Sequence, residues 1–268
     1  MLGNISLGRF YPADSLLHRL DPRSKILSAI VMMVLIFMSQ SLWIMLILAL
    51  ITFLFIGLSK VPLKTVLSGL KPMIFILVFA FTINVFTVDG DPLLKLGPLT
   101  ISDQGLLTAL RMASRLALLI MNTTLFLTLT TTPIHVADAM ESLLNPLRRI
   151  GFPAHEMAMM MSIALRFVPT LLEETDKIMK AQSSRGADYD TGGLITKARG
   201  LVSVLIPLFV SAFKRAEDLA VAMEARCYRG GEGRTRLNVM AYKRRDIWFG
   251  AAMAVTAAVI LAARYVTG

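Results

Sequence analysis

Two arginines are the residues whose type and spacing point most directly to chemistry. Arg185 follows Ala181 by four positions in Ala181-Gln182-Ser183-Ser184-Arg185-Gly186, and Arg226 follows Ala222 by four in Ala222-Met223-Glu224-Ala225-Arg226-Cys227. Each stands where an amphipathic helix should stop. Gly186 is a natural helix breaker, and Gly230-Gly231 is expected to close the second unit soon after. One arginine at a helix C-terminus ordinarily complements the macrodipole for ~0.3–1 kcal/mol and points into water. Two of them, each ending a long helix, point instead to recognition. Guanidinium is a planar five-donor fork that pairs bidentately with carboxylate, so two such tips suit two acidic pockets of a two-fold partner.

Other chemistry is sparse. The chain has no Gly-x-x-x-x-Gly-Lys-Ser/Thr loop, so it is not expected to bind ATP phosphates itself. His155-Glu156 begins like a zinc-protease motif, but Met159 stands where the second histidine is needed, and His18 and His135 are scattered; no metal site is expected. The single cysteine, Cys227, excludes an internal disulfide. Met157, Met159, Met160 and Met161 form a methionine-rich stretch. Such a stretch is either ordinary packing and membrane-contacting surface, or an adaptable face that repacks against partners of different shape.

Helical periodicity places these residues. A first piece, residues 134–150, begins after Thr132-Pro133. A second carries an apolar stripe at Ala164, Val168, Leu171, Thr175 and Ile178, with Arg166, Glu173, Lys177 and Lys180 on another. A third carries Leu205, Leu208, Ala212, Ala216, Leu219 and Met223 on one face, and Lys214, Glu217 and Asp218 away from it. Spacings of three and four make these amphipathic helices. Residues 157–172 and 201–213 are strongly apolar. The first carries Arg166 and the second is too short to span, so both are expected to lie along or beneath a membrane.

The rest of the chain supplies that membrane. Of 268 residues, 55% are hydrophobic and only 17% charged, with a mean hydropathy of +0.65; a soluble domain of this length needs more polar surface. Residues 26–38, 42–58, 73–88, 106–129 and 247–265 are the five candidate spans. The first is short and needs its flanks. This divides the chain into N-terminal transmembrane helices (1–132), a cytoplasmic helical segment (133–246) and a final span (247–268). The fold class is all-α, a polytopic membrane protein. With the N-terminus inside, 24 of the 28 Lys and Arg residues fall on the inner side, and the outer loop 89–104 holds one Lys and three Asp. This positive-inside bias turns the net charge of +10 toward the lipid bilayer and away from nucleic acid. A basic flank of about 25 residues without a small-residue cleavage site reads as a retained anchor, not a cleaved signal. The sequons at Asn4 and Asn122 then fall inside the cell and inside a span. Arg111 and Arg115, one turn apart near the outer end of the fourth span, either snorkel to the interface or pair within the bundle; snorkelling is the expectation.

Ser184-Arg185-Gly186 and Ala225-Arg226-Cys227, within the strings AQSSRGAD and AMEARCYRGG, resemble the two Xaa-Arg-Xaa motifs of the transmembrane T component of energy-coupling factor transporters. The order of spans, coupling helices and a last span is similar too, so the likeness covers nearly the whole chain. Ser184 and Cys227 stand where Ala and Gly are more usual in that family. The resemblance implies a non-catalytic coupling subunit in the cell membrane. It implies two cytoplasmic ATPase subunits that bind ATP and receive the arginines in grooves. It also implies a membrane substrate-binding S component that reorients to release a vitamin or other micronutrient inward. The methionine stretch favours a subunit shared among several S components; a component dedicated to a cobalt/nickel or biotin importer is the alternative. A self-sufficient secondary transporter would need polar or ionisable groups converging at the midplane, and spans 26–38, 42–58 and 73–88 carry no charged residue.

Overall fold

The computed structural model describes residues 10–96, 99–187, 193–230 and 241–267. It is helical, apart from one short antiparallel ribbon, and divides into two compact units. One comprises the described residues of 8–139 and 238–268, the other those of 140–237.

In the first unit, α1 (Pro22–Met38) starts with Pro22 in its first turn and Asp21 as N-cap, whose side chain accepts from the Arg23 amide. After a short turn, α2 (Leu42–Ser59) ends at Lys60 in a left-handed conformation. A six-residue helix, α3 (Leu63–Ser68), and a 3-10 turn lead into α4 (Ile74–Thr87). Strands β1 (Pro92–Leu96) and β2 (Leu99–Ser102) pair antiparallel within the sequence-predicted outer loop. Helix α5 (Asp103–Thr123) begins at Ser102, whose hydroxyl donates to the Val88 carbonyl and accepts from the Gly105 amide. Gly105 is required there, because a Cβ would stand 2.9 Å from the Val85 carbonyl oxygen of α4. The helix continues as a π-helical segment, Thr124–Leu129, before α6 (Pro133–Leu144). The last helix, α9 (Arg244–Thr267), returns to this unit.

The core is apolar. Met32 and Ile36 of α1, Leu48 of α2 and Leu125 and Phe126 of the π segment are fully buried, and Phe126 meets Phe55 and Phe249 at ring-centroid distances of 5.6 and 6.4 Å. Its polar groups hold ends together. Lys25, 2% exposed, donates to the carbonyl oxygens of Thr130 (2.8 Å) and His18 (3.2 Å). Asp246, also buried, accepts from the amides of Asp21 and Lys243. The start of α1, the end of the π segment and the start of α9 therefore share one end of the bundle. Asn122, the second sequon, is buried and donates from Nδ2 to Thr52 Oγ1 of α2.

Among the described residues, five helical stretches are long and apolar enough to cross a membrane: Leu42–Ser59, Leu63–Thr87, Asp103–Leu129, Ile195–Ala225 and Arg244–Arg264. Helix α1, at 17 residues, is just shorter than these, in keeping with the short first span read from sequence. The apolar side chains of α4 are mostly exposed, including Phe75 and Phe79, stacked 6.1 Å apart. A soluble protein would not leave such a helix bare; hydrocarbon is its solvent.

Two expectations change. Arg115 pairs within the bundle, the alternative to snorkelling: its Nη2 donates to the Ser39 carbonyl at 2.6 Å, at the C-terminal end of α1. The segment 201–213 is not short. It lies inside α8 (Leu194–Ala225), which runs 32 residues straight through Pro207 and reaches spanning length.

Candidate functional site

The second unit is built on α7 (Ala154–Ser184) and α8, which pack against one another. Upstream, α6 stops at Leu144 and a 3-10 turn carries the chain past Pro146 to Ile150. The start of α7 is fixed by His155, whose Nδ1 lies 3.0 Å from Glu141 Oε1.

The two arginine motifs end their helices in the same way. Arg185 is the C-cap of α7 with φ −92° and ψ 6°; Arg226 is the C-cap of α8 with φ −92° and ψ 13°. The following residue is left-handed in both, Gly186 at φ +86° and Cys227 at φ +54°. The hydrogen bonds match one for one. Gly186 N–H donates to Ser183 O and Ala187 N–H to Gln182 O; Cys227 N–H donates to Glu224 O and Tyr228 N–H to Met223 O, all at 2.8–3.0 Å. Each is a Schellman motif, which ties back the last carbonyls and leaves the C-cap side chain at the extreme tip of its helix. Ser184, Arg185, Gly186, Ala225, Arg226 and Cys227 are all exposed. Neither arginine has an acidic partner among the described residues. Two unengaged forks on two congruent, rigidly terminated helices present five donors each to whatever docks there.

The helix stops at Arg226, where the sequence placed its end; Cys227 makes the left-handed turn, Gly230 is left-handed as well, and Gly231, the other residue expected to close this unit, lies outside the described residues. Left-handed backbone favours glycine, which is a physical reason for the glycine expected where Cys227 stands.

The helix faces differ in detail from the sequence-predicted stripes. On α8, Leu208, Ala212, Leu219 and Met223 are half-buried as expected, but Leu205 and Ala216 are exposed and Val204 and Arg215 take inward places. Arg215 Nη2 meets Glu174 Oε2 of α7 at 3.3 Å, both groups about one-third exposed. On α7, Met157, Met160 and Met161 form an exposed stripe at helical spacing, whereas Met159 turns partly inward. The four methionines therefore do not make one surface.

Similarity to known proteins identifies the class. A model of the CbiQ family, described as cobalt transport protein, matches residues 13–237. The energy-coupling factor transporter transmembrane protein EcfT of Ruminiclostridium cellulolyticum is 53% identical over 247 residues, 92% of each chain. The chain belongs to the CbiQ/EcfT family of energy-coupling factor transporter transmembrane proteins. The protein of the same name from Acidaminococcus fermentans is 48% identical over 94% of each chain, and that of Bacillus subtilis 44% identical over 97% of this chain and 98% of its own. Full-length likeness at this level makes the chain a multi-pass transmembrane component of a transporter. Sequence reasoning located both arginines but missed their identical caps. The available signal was Cys227 one residue after Arg226, in register with Gly186 after Arg185.

Proposed function

We propose that this chain transmits motion from two cytoplasmic ATPase subunits to a membrane substrate-binding subunit that delivers a vitamin or other micronutrient inward. The observation that carries the reading is the pair of congruent, exposed arginine caps. Two identical docking tips on two helices match a motor made of two ATPases. ATP would be bound by those partners, and this chain would contribute no catalysis of its own. Each arginine is read as entering a groove and pairing with a carboxylate there.

The cytoplasmic side is assigned by charge. Chain exit after the π segment and re-entry at α9 occur at the end where α1 begins, and basic residues dominate this end. That supports placing the N-terminus and residues 133–246 in the cytoplasm, even though α8 has spanning length. The exposed Met157, Met160 and Met161 stripe is read as facing the substrate-binding subunit, and its adaptability favours a component shared among several such subunits.

Alanine variants of the tips test this. Removing one member of a buried ion pair costs ~3–5 kcal/mol, against at most ~1 kcal/mol for an exposed pair. Arg185→Ala or Arg226→Ala should each weaken ATPase co-purification with the tagged chain, and the double variant should abolish it while the chain still inserts. Lysine should rescue poorly, because it keeps the charge and loses the fork. Normal ATPase retention by the double variant would reduce both arginines to solvated helix caps.

A further inference from the structure

The Glu174–Arg215 contact has a positional property that neither residue shows alone. Glu174 precedes Arg185 by 11 residues, and Arg215 precedes Arg226 by 11. Measured back from the two matching caps, the contact therefore joins equivalent positions of α7 and α8. Contact between equivalent positions is the mark of a two-fold axis, as in a symmetric dimer interface. Here the equivalent positions lie within one chain and differ in charge, Glu on one helix and Arg on the other, so the contact is an attractive pair. It is the one ion pair joining α7 to α8 among the described residues.

Helix geometry converts these counts into distances. At 1.5 Å per residue, each tip lies roughly 16 Å from the contact along its own helix. At 100° per residue, 11 residues make close to three whole turns, so each arginine stands on the same face of its helix as the ion-pair residue. Sliding either helix by one turn would lengthen one arm by about 5.4 Å relative to the other. Apart from Val204, which is buried, the apolar neighbours Leu171 and Ile178 on α7 and Leu208, Ala212 and Leu219 on α8 are only half-buried, and apolar contacts are non-directional.

We propose that Glu174 and Arg215 are a positioning pair that fixes where α7 and α8 cross, so that the two arginine tips stand at equal distances from the crossing. Equal arms suit two equivalent grooves related by a two-fold axis; this last step rests on the coupling function proposed above. A charge pair fulfils this role better than an apolar one because a charge-assisted hydrogen bond has a direction and a short reach.

The test measures tip-to-tip distance in the full-length chain, in lipid nanodiscs. Spin labels go on Ser183→Cys and Glu224→Cys, each two residues before its arginine, in a Cys227→Gly background. Glu174→Arg and Arg215→Glu should each shift and broaden the distance distribution, and the swap Glu174→Arg/Arg215→Glu should restore it. Glu174→Gln removes the charge without adding repulsion and should broaden the distribution in a chain that folds normally. An unchanged distribution in the single variants, or a swap that restores nothing, overturns the proposal. ATPase retention by Arg185→Ala/Arg226→Ala is scored separately. Loss of ATPases there with no distance response in the Glu174 variants leaves tip docking standing and removes the pivot. A distance response with full ATPase retention removes tip docking and leaves the pivot.

Discussion

Arg185 and Arg226 occupy the last position before the backbone turns left-handed, and that position explains why they can act as tips. The Schellman bonds satisfy the terminal carbonyls, so the arginines need not fold back to do so. The two motifs differ in one respect, glycine against cysteine at the left-handed residue. A Cβ in this conformation costs ~1–2 kcal/mol. Cys227→Gly should therefore strengthen the end of α8, slowing amide hydrogen exchange around Tyr228 by roughly tenfold, the equivalent of about 1.4 kcal/mol. Gly186→Ala should weaken the end of α7 by a similar amount, with faster exchange around Ala187. Opposite signs at equivalent positions are the signature to seek; equal protection in both variants would show that the caps do not govern these helix ends.

At the scale of elements, the exposed stripe of α7 and the buried ends of α1 and α9 lead to separate predictions. Met157→Asp/Met160→Asp places two carboxylates on the exposed stripe. It should weaken co-purification of a membrane partner and leave ATPase retention intact, because the arginine tips are untouched. Met159→Asp, on the partly inward side, should instead lower thermal stability. Equal loss of both classes of partner in the double variant would place the stripe elsewhere or mark a folding defect. Lys25 sits at one end of the bundle in its own unit. It donates to the Thr130 and His18 carbonyl oxygens, and Asp21 and Asp246 act on it electrostatically. Lys25→Met leaves the two buried carbonyls without their donor and removes the cation nearest Asp246, while Asp21 keeps Arg23 at 3.9 Å, for ~1–3 kcal/mol of destabilisation. Thermal melting in detergent reads this directly, and an unchanged midpoint would show that the Lys25 bonds to the His18 and Thr130 carbonyls do not hold this end together.

Whole-molecule topology follows from where chain ends meet. Lys25 joins the start of α1 to Thr130 at the end of the π segment, and Asp246 joins the start of α9 to Asp21. On the topology proposed above, α1, α2, α4 and α5 make four crossings that return the chain to its starting side, and α9 makes a fifth. The C-terminus is then expected outside. In a Cys227-free background, Thr267→Cys should react with a membrane-impermeant thiol reagent added to intact cells. Labelling only after the cytoplasm is opened would require another crossing, for which α8 has the length.

Hydropathy and charge order are local properties, so the polytopic helical class, four of the spans and the basic bias were legible from residue types alone. The arginine tips were legible because helix C-termini carry local punctuation: Gly186 after Arg185, and the matching spacing from Ala181 and Ala222. What remained hidden depends on contacts between distant residues. Nothing near Arg115 reveals that its acceptor is Ser39, 76 positions away. Periodicity placed Leu205 and Ala216 on the packed face of α8, but the packed face is set by what the neighbouring elements offer, and Val204 and Arg215 face inward instead, Arg215 meeting Glu174. Lys25 and Asp246 read as ordinary basic-flank and loop charges, because burial of a charge is decided by which carbonyls and amides the fold brings to it. Amino-acid type determined the solvent each segment prefers. Tertiary structure decided which polar groups find one another, since a hydrogen bond requires a partner within about 3 Å and sequence spacing carries no such distance.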